Sequence, residues 1–82
     1  MELIGQSKRN LKLFKDANYN YGIGEFNLSV EGYNKILKSD PENCDVLYKL
    51  GLAHKKLKEF NEFKNTFVKY SNLSCLNYSD QV

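Results

Sequence analysis

The sequence predicts an all-α fold of two antiparallel helix–turn–helix hairpins, on three observations. First, an offset of 34 residues (60 − 26) carries Phe26 onto Phe60 and maps one half of the chain onto the other. It pairs Leu13 with Leu47, Lys15 with Lys49, Glu25 with Glu59, Asn27 with Asn61, Lys35 with Lys69 and Asn43 with Asn77. A fixed period of this size marks repeated supersecondary units. Second, apolar residues recur at helical spacing over most of the chain. Third, the chain holds one proline, Pro41, which leaves long stretches free to be helical.

The second half carries the cleanest element. Over residues 44–58, Leu47, Leu50, Gly51, His54 and Leu57 form one face. Asn43 is the expected N-cap, Asp45 puts negative charge in the first turn, and Lys55, Lys56 and Lys58 put positive charge in the last. Residues 59–70 form the next helix, where Phe60, Phe63, Phe67 and Tyr70 make an aromatic stripe expected to pack on the preceding helix. In the first half, residues 25–37 bring Phe26, Val30, Tyr33, Ile36 and Leu37 to one side, and Gly24 marks the turn before them. The first helix is expected over residues 7–23, with two competing stripes: Leu13, Ala17 and Asn20, or Leu11, Phe14 and Tyr21. Residues 71–82 hold one frayed turn around 73–76, or none.

At this point the residues resemble the tetratricopeptide repeat, a unit of 34 residues with a W-x2-L-G-x2-Y…A-x3-F…P pattern. The second half supplies Leu47-x2-Leu50-Gly51-x2-His54 and then Phe63-x3-Phe67. The first supplies Ala17, Ser29, Tyr33 and the closing Pro41, with Asp16 and Asn20 departing from the pattern. The stretch Lys38-Ser39-Asp40-Pro41-Glu42-Asn43 is similar to the family's inter-repeat turn. The resemblance implies a right-handed α-solenoid. Residues 1–9 extend the first helix, 10–43 are repeat one, 44–77 repeat two, and 78–82 a tail. Small residues belong where the helices of a hairpin approach, so Ala17 is set against Ser29, while Gly51 facing Phe63 departs from that rule.

The resemblance also implies a function: a protein or peptide partner held on a concave face of the inner helices. Phe14, Asn18 and Tyr21 in repeat one, and Tyr48, Leu52 and Lys55 in repeat two, would line that face, each set spaced four then three along its helix. Some relatives clamp a C-terminal carboxylate with Lys and Asn. Here Phe14 stands where that clamp has Lys, and Lys49 where it has a second Asn. The alternative is self-assembly, because a two-repeat array lacks the neighbours that normally bury its end. Leu50, Leu57, Phe67 and Tyr70 would then meet a second copy as a homodimer.

Other classes find little in the chain. The one histidine, His54, lies on a core face, where a packed, hydrogen-bonded role is expected. No nucleophile–base pair, metal-ligand spacing or phosphate loop is readable, so no catalytic residue, metal or cofactor is expected. A formal net charge of +2 without a basic stripe gives no argument for nucleic acid. No apolar run reaches the ~18 residues of a membrane span. Cys44 and Cys75 stand outside any C-x-x-C pair and are expected as free thiols. With no signal-peptide pattern at the N-terminus, a cytoplasmic location follows. The N-x-S triplets at Asn27, Asn72 and Asn77 are then chance matches.

Overall fold

The repeat is visible in the turns before anything else. In a computed structural model, which describes residues 2–73 and 75 with side chains from residue 8 onward, four helices follow one another: α1 (Glu2–Gly22), α2 (Phe26–Ser39), α3 (Cys44–Lys56) and α4 (Phe60–Asn72). After α1, Gly24 N–H donates to the Tyr21 carbonyl at 3.2 Å and Glu25 N–H to the Asn20 carbonyl at 2.8 Å. After α3, Lys58 N–H donates to Lys55 at 3.0 Å and Glu59 N–H to His54 at 2.9 Å. Each bond is the other's equivalent at the 34-residue offset. This pair of bonds is the Schellman motif, which needs a left-handed residue at its centre. Gly24 supplies it at φ 85°, and Lys58 supplies it at φ 62° against its steric preference.

The helix bounds differ from expectation at their ends. The first helix begins at Glu2 rather than residue 7, and α2 and α4 run on to Ser39 and Asn72. α3 stops at Lys56, since Lys58 takes the turn conformation. The expected N-cap of α3 holds: Asn43 Oδ1 accepts from Val46 N–H at 3.0 Å. Among the described residues no helix is long and apolar enough to cross a membrane.

Successive helices pack on one another, α1 on α2, α2 on α3 and α3 on α4. Tyr21 meets Phe26, Phe14 meets Tyr33 and Asn10 meets Ser39, so α1 and α2 are antiparallel. Lys55 over Phe63 and Tyr48 against Phe67 and Tyr70 show the same for α3 and α4. The main core gathers Ala17, Tyr33, Ile36, Val46, Leu50 and Ala53 from three helices. A second cluster holds Leu47, Tyr70 and Cys75.

Close approach within hairpin two departs from the expected pair. In hairpin one Ala17 and Ser29 are both buried, and Ala17 also approaches Gly32, where a Cβ would sit 2.9 Å from Ala17 Cβ. Ser29 turns its hydroxyl to the Phe26 carbonyl at 2.8 Å. In hairpin two, Gly51 makes room for the ring of Phe67 rather than Phe63; a Cβ there would lie 2.8 Å from Phe67 Cδ2. The rotation of each helix about its axis decides these partners, and the repeat pattern left it open by one turn.

The free-thiol expectation is overturned. Cys44 and Cys75 form a disulfide with their Cα atoms 5.6 Å apart. It ties the first residue of α3 to the chain beyond α4, and Cys75 is fully buried against Leu47 and Tyr70. Two cysteines 31 residues apart carry no spacing signal, and only the antiparallel return of α4 along α3 brings them together. The rest of the tail, residues 74 and 76–82, with the Asn77 triplet and the Ser of the Asn72 triplet, lies outside the described residues.

Candidate functional site

Phe14 and Tyr48 occupy equivalent positions on α1 and α3 and make equivalent contacts. Phe14 packs on Tyr33 at 6.1 Å between ring centroids, and Tyr48 packs on Phe67 at 5.8 Å. Each ring is thus held by the second helix of its own hairpin. Phe14 remains half-buried and Tyr48 is 44% exposed. Tyr21, half-buried, sets its ring edge to Phe26 at 5.2 Å, while Lys49 Nζ reaches over the same ring at 5.9 Å from α3. That contact joins the first helices of the two hairpins.

The polar members of the stripe are engaged inside the fold. Asn18 Oδ1 accepts the hydroxyl proton of Tyr33. Burial, and then the neighbouring Tyr21, pushes the Tyr33 phenol up to about 12. Lys55 is exposed, with Nζ 5.7 Å above the Phe63 ring, so it leans toward α4. Leu52 is half-buried.

The residues expected at a self-association surface divide in two. Leu50 and Tyr70 are buried within the chain, whereas Leu57 and Phe67 are partly exposed. The apolar surface left on α4 belongs to Phe60 and Val68, 58% and 50% exposed, which line an open groove with Phe63, Lys64 and Phe67. At the equivalent positions on α2, Phe26, Ser29, Val30 and Tyr33 are all at least partly covered, and the exposed position, Asn34, is polar.

His54 is buried, and its Nδ1 lies 2.8 Å from Glu59 Oε1. These two residues stand where a Schellman motif usually makes an apolar contact. The side-chain bond therefore reinforces the turn between α3 and α4. Among the described residues no group of three or more His, Cys, Asp or Glu is placed to hold a metal ion.

One feature has no signal in the sequence. Where α1, the end of α2 and the start of α3 converge, a cleft of about 210 Å³ opens beside Phe14. Leu11, Ile36 and Val46 complete its apolar lining, and Asn10, Asp40, Asn43 and Asp45 supply its polar rim. The stretch Asp40 to Asn43 is legible as a turn, but nothing in it announces that Asp40 lines one cleft with Phe14. No protein-family model matches the chain, and neither the curated proteins nor the solved structures show a match to it.

Proposed function

We propose that this chain is a protein–protein interaction module of tetratricopeptide-like construction, a short right-handed α-solenoid that binds a peptide segment across α1 and α3. The observation that carries the reading is the duplicated hairpin, whose turns repeat bond for bond at a 34-residue offset. Repeats of this kind serve as binding surfaces far more than as catalytic scaffolds. Phe14, Tyr21, Tyr48 and Leu52 supply the contact, because partly exposed aromatic rings held by neighbours offer large area at little entropic cost. Asn18, its carbonyl oxygen occupied by Tyr33, supports the surface from beneath, and Lys55 lies at its edge. Neither an enzymatic role, a cofactor nor a nucleic-acid partner is part of this proposal. The test is an array of acetylated octapeptides probed with the purified chain. Binding should fall at least tenfold in Tyr48→Ala with helicity unchanged, and an array in which nothing binds refutes the reading.

A second reading, self-assembly, draws support from the exposed apolar α4 groove, whose counterpart on α2 is covered except at the polar Asn34. The surface it would use is Phe60, Phe63, Phe67 and Val68. Sedimentation equilibrium showing one monomeric species up to 0.5 mM (roughly the reach of a weak, small interface) counts against it.

The disulfide also bears on location. The free thiols that favoured a reducing compartment are paired, and a buried disulfide persists in oxidising surroundings. We therefore place the chain's working environment in an oxidising compartment. Alkylation of the native protein without reductant should label no cysteine.

A further inference from the structure

We infer that the cleft beside Phe14 receives a basic side chain, lysine or arginine, from the bound segment. This rests on the peptide-binding reading above and specifies one residue of the ligand. At about 210 Å³ the cleft is smaller than the ~300–1,000 Å³ of small-molecule sites, and suits one side chain. Its floor of Phe14, Ile36 and Val46 matches an aliphatic stem, and its rim carries two carboxylates, Asp40 and Asp45. Among the described residues neither carboxylate has a cationic side chain within 4.0 Å.

The rim is held in place before any ligand arrives. Asn43 Nδ2 donates to Asp40 Oδ2 at 2.9 Å, while Asn43 Oδ1 accepts from Val46 N–H at 3.0 Å. From α1, Asn10 Nδ2 donates to Ser39 Oγ at the end of α2 at 3.2 Å. These bonds tie the α2–α3 turn together and to α1, so the Asp40 carboxylate need not be ordered on binding, while Asp45 stands exposed beside it in the first turn of α3. An anionic group would meet two like charges. An apolar group would desolvate carboxylates that no cation pairs with, which is unfavourable. An alkylammonium or guanidinium satisfies both surfaces, its stem on the apolar floor and its head at the rim, as long basic side chains do elsewhere. Phe14 belongs to both the cleft and the stripe, so a segment crossing toward Tyr21 can place one side chain here. Lys49, over Tyr21, makes the far end of that path positive, which gives the ligand a direction.

The test is a positional-scanning library of acetylated octapeptides, each position fixed in turn as Arg, Lys, norleucine or Glu. At one position the Arg and Lys pools should bind about tenfold more tightly than the norleucine pool, and the Glu pool more weakly still. The double variant Asp40→Asn, Asp45→Asn should erase that preference. Asp45→Asn alone, which disturbs no hydrogen bond of the turn, should reduce it about threefold. Binding with equal affinity for Arg and norleucine at every position overturns this inference and leaves the interaction module standing. A preference that survives in the double variant overturns it too. Absence of binding by every pool overturns both.

Discussion

Reducing the Cys44–Cys75 bond removes a crosslink that spans 31 residues of chain, from the first residue of α3 to the residue that seals the second core cluster. In the unfolded state the intact bond forbids the conformations in which those ends separate. For a loop of this length the chain-entropy relation gives about 3.5 kcal/mol of stabilisation. A domain of this size has about 4–12 kcal/mol in total. The crosslink is thus a third of the stability or more, and its loss should lower the melting temperature by roughly 15–25 °C. The assay is guanidinium denaturation followed by far-ultraviolet circular dichroism, run on the oxidised protein, the reduced protein and the Cys44→Ser, Cys75→Ser variant. Both thiol-free and reduced forms should lose about 3–4 kcal/mol. A loss below about 1 kcal/mol in both would refute the reasoning, because the loop-closure relation leaves no room for it.

Other consequences follow from particular contacts. Gly32→Ala should destabilise by about 1–2 kcal/mol, since the new methyl meets Ala17 Cβ at 2.9 Å and the overpacking outweighs the helix preference of Ala; chemical denaturation reads it. Lys58→Gly should stabilise by about 1 kcal/mol and Gly24→Ala should destabilise by a similar amount, because both positions hold positive φ. Raising pH should expose Tyr33. Its phenol titrates at about 12 in the folded chain against 10 for a free one, so the folded state holds the proton that the unfolded state releases. That contribution is complete below pH 10 and is lost as pH rises toward about 12; denaturation midpoints across that window should fall in the native chain and fall less in Tyr33→Phe.

Much of this architecture is legible in the residues. The helical spacing, the Asn43 cap, the Gly24 turn and the 34-residue offset each have a local cause, so each can be read without knowing the fold. Features that depend on two elements meeting were harder. Gly51 was set against Phe63 and accommodates Phe67, because apolar spacing fixes which face of a helix is buried but not its rotation to within one side chain. Lys58 concealed a left-handed turn residue, because its charge already explained its place at a helix end. The disulfide and the cleft at Phe14 exist only through convergence of segments far apart in sequence. For the candidate face, the aromatic positions Phe14, Tyr21 and Tyr48 were readable. The engagement of Asn18 by Tyr33 was not, since it depends on which side of α2 meets α1.

The most direct test of the interaction-module account is to titrate the isotope-labelled chain with the best octapeptide from the array and record amide nitrogen–proton spectra. The account predicts shifts clustered at Phe14, Tyr21, Tyr48 and Leu52 and reaching Asp45 and Val46. Shifts confined to Phe60, Lys64 and Val68 on α4, with the α1 and α3 amides unmoved, would contradict it.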